Sequence, residues 1–205
     1  PVIEQRGSAS DRAVVEITNH ISTDLPNDRR TFNVNVEIDT VQLGAKMTDQ
    51  INGVAAGVPY LALPPKSDPA SAPVVVLWHL MDPPSTPAAL AAALPLNDVD
   101  AWRVYFELPM TGQRLPAGGP EEVMRLGMED AVANLFDPIT AQAAAEFPSA
   151  LAAVREQLGV RSDQFALVGG SMGSLVAALT AAETAAHATG DLRALVMLSP
   201  VSQLR

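Results

Sequence analysis

The sequence predicts an α/β fold with a mostly parallel central sheet, helices on both faces and an antiparallel N-terminal edge. Short, wholly apolar runs such as Val74–Trp78 (VVVLW) are typical of strands that are buried on both faces. From residue 74 onward such runs alternate with helix-like stretches, which indicates a parallel sheet with crossover helices. Residues 32–38 instead alternate apolar and polar side chains, as in an antiparallel edge strand with one solvated face.

The strands are expected in two groups. The N-terminal group covers residues 12–63, and Pro64-Pro65 and a linker-like PPKSDPASAP follow it. Its strands are predicted at residues 12–18, 32–38 and 58–63. The α/β core, without a nucleotide site, covers residues 74–205, and its strands are predicted at residues 74–78, 102–108, 165–168 and 194–198. We expect one domain over residues 1–205, since this length suits a single core.

Three helical regions separate the core strands. They are predicted at residues 88–94, 121–158 and 175–187. We expect Pro138 and Pro148 to interrupt the second region, because a proline inside a helix removes a hydrogen bond. Gly159 is the predicted C-cap of the same region.

Composition excludes several classes of partner. A net charge of −10 disfavours binding to nucleic acid, whose phosphates require a basic surface. No apolar run approaches the roughly 20 residues of a membrane span, and the N-terminus lacks the pattern of a signal peptide, so we expect a cytoplasmic protein. Three scattered histidines and no cysteine predict no metal site, and no cofactor is expected.

Residues 169–173 (GGSMG) place a serine between glycines where a buried strand gives way to a helix. This G-x-S-x-G pattern predicts a nucleophile elbow, a sharp turn that presents Ser171 to a cleft at the end of the sheet. Gly169 and Gly173 are required at the two positions where a Cβ atom would collide with the turn. The alternatives are a phosphate-binding loop or simply a tight turn. The stretch lacks the lysine of a phosphate-binding loop and does not match G-x-G-x-x-G.

With this motif the chain resembles the α/β-hydrolase superfamily. The leading strands, the buried strand VVVLWH, the strand WRVYFEL and the elbow strand follow one another in the order of that family. The resemblance implies serine-dependent acyl transfer with Ser171 as nucleophile and the Met172 N–H as one oxyanion donor. It implies a second donor at Met81, although Leu80 stands where the family often has glycine. His79 is expected to order this loop rather than to transfer protons.

A serine nucleophile also needs a base and an acid, which in this family follow it in the chain. After Ser171 the candidates are Glu183, His187 and Asp191. His187 lies at the far end of the predicted helix, on the order of 20 Å from the serine, so Glu183 and His187 are expected as an i, i+4 surface pair. No pattern places His20 near the elbow.

Three explanations for the missing base stay open. The chain is a fragment whose C-terminal part or second chain carries the acid and the histidine, it is a short form that binds ligands without turnover, or it uses a dyad with His79. Residues 194–198 (ALVML) form an all-apolar strand at the predicted sheet edge, which is an association hazard unless covered. We therefore expect a C-terminal segment, a second chain or self-association at this edge.

The sequence thus favours a serine hydrolase, and among these a carboxylesterase that cleaves small or medium acyl esters through an acyl-enzyme on Ser171. The same machinery serves thioesters and amides, and the sequence does not separate these substrates. The alternative from another class is a non-catalytic α/β-hydrolase-like module for binding or interaction.

Overall fold

The computed structural model describes residues 17–19, 34–36, 50–187 and 190–199. The chain divides into two compact units, Pro1–Ala45 and Lys46–Arg205. In the first unit, β1 (Ile17–Asn19) pairs in antiparallel fashion with β2 (Val34–Val36). Both strands overlap segments predicted as strands, and the other residues of those segments lie outside the described part of the chain.

The second unit contains a six-stranded mixed sheet. Its strands are β3 (Ile51–Ala55), β4 (Val58–Leu63), β5 (Val74–Trp78), β6 (Trp102–Phe106), β7 (Gln164–Gly170) and β8 (Asp191–Leu198). Their spatial order is β3-β4-β6-β5-β7-β8. The pairs β3/β4 and β4/β6 are antiparallel, whereas β6, β5, β7 and β8 run parallel to one another. The predicted fold class is confirmed.

Helices cover both faces of this sheet. They are α1 (Pro87–Ala93), α2 (Gly119–Ala131), α3 (Asp137–Leu158) and α4 (Met172–His187), with a 3₁₀ turn at Gly112–Arg114 and a π-helical turn at Val132–Phe136. Val74, Val76 and Trp78 of β5 pack into the core beneath α3 and α4. Val75 and Leu77 point to the other face, where α1 covers them. Among the described residues, no helix has the length and apolar character needed to cross a bilayer.

The first strand of the large sheet, β3, has no counterpart among the sequence predictions. It forms a hairpin with β4 through a two-residue loop, Ala56-Gly57, in which both residues have positive φ (49° and 89°). Positive φ at both loop positions is the geometry of the tight hairpin turn that matches strand twist. The strand was missed because its sequence, INGVA, contains Asn-Gly and most of its side chains are exposed.

The prediction that prolines interrupt the long helical region is wrong for Pro148. This residue lies inside α3, where Phe147, Ala150 and Leu151 are buried in the core. Burial of these neighbours outweighs the loss of one helical hydrogen bond. Pro138 is the second residue of α3, which directly follows the π-helical turn Val132–Phe136. Gly159 ends α3 with φ of +67°, and this predicted cap is confirmed.

The register of the parallel strands brings their carboxyl ends to one edge. Trp78 of β5 lies opposite both Phe106 of β6 and Gly169 of β7. Gly170 of β7 lies opposite Leu198 of β8. The loops that follow these strands therefore meet at the same edge of the sheet, and this edge holds the candidate site.

Candidate active site

Ser171 lies on the turn between β7 and α4 and is half-buried. Its φ is +48°, in the left-handed region that residues with a Cβ atom rarely adopt. The turn is so short that the strand ends at Gly170 and the helix begins at Met172. This is a strained strand-to-helix turn, the backbone geometry of a nucleophile elbow.

The packing around the turn explains its flanking glycines. A Cβ atom at Gly169 would lie 2.0 Å from the Gly173 carbonyl oxygen. A Cβ atom at Gly173 would lie 2.4 Å from the Trp78 carbonyl oxygen and 2.8 Å from that of His79. Both positions face main-chain atoms that cannot rotate away, so only glycine fits at either one. Gly173 also brings the start of α4 against the end of β5.

Two main-chain hydrogen bonds hold the turn. The Ser171 N–H donates to the Leu198 carbonyl at the end of β8, at 2.9 Å. The Ser174 N–H donates to the Ser171 carbonyl at 2.9 Å. The left-handed residue is thus tied on one side to the neighbouring strand and on the other to the first turn of α4.

The two predicted oxyanion donors lie at the ends of adjacent strands. Met172 is the first residue of α4, so its N–H has no acceptor within the helix and lies at the positive end of the helix dipole. Its side chain is buried, and its Sδ lies 3.9 Å from the Thr140 hydroxyl. Met81 lies in the loop after β5 and is half-buried against the core. The roles of Met172 and Met81 stay predictions.

Leu80, in the loop after β5, packs against the serine turn. A Cβ atom at Gly170 would lie 2.5 Å from Leu80 Cδ1. The loop after β5 therefore contacts the serine turn through this side chain. Gly170 was not among the predicted site residues, although its place directly before the serine was a visible signal.

His79 is fully buried, and both of its ring nitrogens have partners. Nδ1 lies 2.7 Å from the Leu80 carbonyl oxygen, to which it donates. Nε2 accepts from the Leu108 N–H at 3.2 Å, and the Thr111 hydroxyl lies 3.4 Å from it. Burial lowers the pKa of His79, while the bond to Leu80 opposes the shift. A neutral ring whose two nitrogens join two loops supports an ordering role and not proton transfer.

The other described histidine is remote from the serine. His187 is exposed at the last residue of α4, and the 16-residue length of the helix places it about 24 Å along the axis from the elbow. In the described part of the chain no ion pair links Glu183 to His187. The expected surface pair is therefore absent from these residues. Nor does this part contain a group of three or more potential metal ligands.

A buried acid, Glu107, follows β6 at the same edge and was not among the predicted site residues. Burial raises the pKa of its carboxyl group, and the Gln113 N–H donates to Oε2 at 3.2 Å. Arg114 donates to the Glu107 main-chain oxygen at 3.0 Å and pairs with Glu146 at 2.7 Å. An acid directly after the strand WRVYF, which is buried at every position, was the signal available in the sequence.

Comparison with solved structures supports the fold described above. The solved structure of m3DLH matches with a TM-score of 0.51 at 21% identity, over 74% of this chain and 58% of that one. The solved neighbours have α/β-hydrolase folds, and the six-stranded sheet of this chain is likewise mostly parallel with antiparallel strands at its start. The chain has the α/β-hydrolase fold.

Two further solved structures with similarity to this chain are enzymes by name. A thermostable esterase from Pseudomonas putida ECU1011 matches at 20% identity over 77% of this chain and 44% of its own, with a TM-score of 0.47. A hormone-sensitive lipase from a metagenome library matches at 17% identity over 76% and 45%, with a TM-score of 0.46. This chain spans about half the length of the structures it matches. No family model and no curated protein matches the sequence.

Proposed function

We propose that this α/β-hydrolase-fold chain is a serine hydrolase, and specifically a carboxylesterase that acts on small or medium acyl esters. The observation that carries the proposal is the left-handed backbone of Ser171 at the carboxyl edge of the sheet. A non-glycine residue held in this conformation stores strain, and such strain is found mainly where a side chain must be presented for function. The crowding at Gly169 and Gly173 keeps that geometry in place.

In the proposed reaction, Ser171 Oγ attacks the ester carbonyl carbon while a base removes the hydroxyl proton. The carbonyl oxygen becomes an oxyanion, which the N–H groups of Met172 and Met81 stabilise. The tetrahedral intermediate then breaks the bond to the leaving alcohol, which takes up the proton. Water attacks the acyl-enzyme in the same way, and this step releases the carboxylic acid and restores the serine.

The base is proposed to lie outside the described residues. Within them, both nitrogens of His79 are engaged in hydrogen bonds and His187 is at the wrong end of α4. A buried, neutral His79 holds no free lone pair for the serine proton. His20 lies outside the described residues, and no sequence pattern places it near the serine. We therefore assign the base and its acid to a further polypeptide segment.

We propose that this segment pairs with β8. Among the described strands β8 is at the sheet edge, and Leu195, Val196, Met197 and Leu198 are 39–46% exposed. Consecutive residues of a strand point to opposite faces of the sheet, so β8 exposes apolar side chains on both faces. A strand flanked by helices covers the edge and both faces, and this is the occupant we propose.

Apolar side chains around the elbow support an uncharged acyl or alcohol group in the substrate. Met81 and Met110 are partly buried against the core near the carboxyl ends of the parallel strands, and Met172 is buried beneath the turn. Unbranched methionine side chains adapt to different apolar shapes. An ester with a short or medium acyl chain suits such surroundings better than a charged substrate does.

A second candidate function is a non-catalytic binding module, which the engagement of His79 and the remoteness of His187 favour. A fluorophosphonate probe distinguishes the two, because it phosphonylates only an activated serine. We expect labelling of the wild-type chain, together with its pairing segment, that disappears in Ser171→Ala. Ser149→Ala, which removes an exposed serine of α3, is the matched control and should label normally. Absence of labelling in the complete assembly would favour the binding module.

A further inference from the structure

The hydroxyl of Ser174 connects the ends of two strands at the elbow. Ser174 lies in the first turn of α4 and is 1% exposed. Its Oγ is 2.8 Å from the Gly169 carbonyl oxygen in β7 and 3.1 Å from the Leu198 carbonyl oxygen in β8. A hydroxyl has one proton, so Ser174 shares it between the two acceptors or donates mainly to the nearer one.

The Leu198 carbonyl is also the acceptor of the Ser171 N–H, at 2.9 Å. One oxygen at the end of β8 thus accepts from the main chain of the serine turn and lies within hydrogen-bond distance of the hydroxyl three residues later. Leu198 pairs with Gly170, so it is aligned with the last residue of β7 before the turn. The position of this oxygen relative to the turn therefore depends on the hydroxyl that joins β7, β8 and α4.

This connection matters because the carboxyl end of β8 is partly exposed at the side of the sheet. Within the described strands β8 pairs only with β7, and its last four residues are 39–46% exposed. An exposed edge strand frays more readily than a central one, since fewer packed contacts oppose opening. Without the Ser174 hydroxyl, the acceptor of the Ser171 N–H would depend on the strand pairing alone.

We propose that Ser174 is a positioning residue for Ser171. Its hydroxyl fixes the Leu198 carbonyl as the acceptor that keeps Ser171 in its left-handed conformation. This inference rests on the proposed function in so far as it concerns the reactivity of Ser171, and its structural part is independent of that function. Ser174 contacts no substrate in this role, since it is buried beneath the turn.

The first test is amide hydrogen exchange at Ser171 in wild type, Ser174→Ala and Ser174→Cys. Removing one neutral hydrogen bond changes the equilibrium of a local opening by about threefold to tenfold. We expect Ser171 exchange to accelerate by about that factor in Ser174→Ala. The weaker S–H donor in Ser174→Cys should give a smaller acceleration. Exchange in the centre of β5 should remain as in wild type. An unchanged rate at Ser171 in Ser174→Ala would overturn the inference.

The second test is the rate of fluorophosphonate labelling in the assembly with its pairing segment. Ser174→Ala should label about threefold to tenfold more slowly than wild type. Ser149→Ala is the matched control, because its Oγ also donates to a carbonyl three residues earlier, at 2.9 Å from Glu146 O, but far from the turn. Equal labelling of wild type and Ser174→Ala would overturn the positioning role and leave the hydrolase proposal intact. Faster exchange at Ser171 without any wild-type labelling would support the structural connection and contradict the hydrolase proposal.

Discussion

The main-chain N–H of Leu108 donates to Nε2 of His79 at 3.2 Å and so joins the loop after β6 to the end of β5. The other ring nitrogen of His79 is bonded to the Leu80 carbonyl. A protonated imidazole carries hydrogen on both nitrogens, so the charged ring could not accept from Leu108. The bond holds the two loops together only while His79 is neutral.

Acidification should therefore destabilise the protein through His79. Burial keeps the pKa of His79 below its value of 6.5 in the unfolded chain, so the unfolded state binds a proton first as the pH falls. Above pH 6.5 His79 does not affect the free energy of unfolding. Below pH 6.5 the free energy of unfolding decreases by up to about 1.4 kcal/mol per pH unit. Urea unfolding at pH 7.5 and 5.5 measures the effect.

The matched variants are His79→Gln and His187→Gln. His79→Gln should lose stability at pH 7.5 but show a smaller further loss at pH 5.5 than wild type does. His187→Gln, which alters an exposed histidine, should follow the wild-type pH dependence. If wild type and His79→Gln lose the same free energy of unfolding between the two pH values, His79 is not the group responsible.

The backbone strain at Ser171 should be measurable as a difference in the free energy of unfolding between two variants. Glycine adopts φ of +48° without the cost that a Cβ atom brings, so Ser171→Gly should unfold with a free energy about 1 kcal/mol higher than that of Ser171→Ala. Ser171→Ala is the reference because it removes the hydroxyl and keeps the Cβ atom. Denaturant unfolding of the pair gives the difference. A glycine variant less stable than the alanine variant would show that the turn is unstrained.

Substitution of two glycines should distinguish the cost of steric crowding from the cost of backbone strain. Gly173→Ala would place a Cβ atom 2.4 Å from the Trp78 carbonyl oxygen, and we expect a loss of about 3 kcal/mol or more. Gly159→Ala provides the control, because Gly159 has φ of +67° in open space and should cost only about 1 kcal/mol. Thermal unfolding of both variants compares the two costs. Similar melting temperatures would mean that β5 and α4 separate easily.

The open edge at β8 should make the isolated 205-residue chain associate. Light scattering over a range of protein concentrations should show species larger than one chain, and Val196→Lys should reduce them, since a charge on an edge strand opposes pairing. Lys66→Glu, a charge change at another exposed site, should leave association unchanged. A monodisperse single chain for wild type at high concentration would argue against an exposed pairing edge.

Local patterns were sufficient for the core strands and for the serine turn. Val74–Trp78 is apolar at every position because helices cover both faces, and the sequence shows this directly. The glycines around Ser171 likewise indicate the turn, because the turn depends only on residues adjacent in the sequence. The strand β3 was not predicted because its side chains are mainly exposed, so its sequence has no hydrophobic pattern typical of a strand.

Contacts between distant residues could not be predicted in the same way. His79 and Leu108 are 29 residues apart, and Ser174 and Leu198 are 24 residues apart. Each pair depends on strand order and register, which local composition does not specify. The sequence indicated a loop-ordering histidine but not its partners, and it offered no sign that Ser174 would reach β8.

The contact between Leu80 and Gly170 links two positions that any redesign of this protein would treat separately. A Cβ atom at Gly170 would meet Leu80 Cδ1 at 2.5 Å, so a larger residue at 170 requires a smaller or displaced side chain at 80. The residues tolerated at position 170 therefore depend on the size and position of the side chain at position 80. Directed evolution of the cleft should randomise the two positions jointly, with small residues allowed at position 80 wherever position 170 is enlarged.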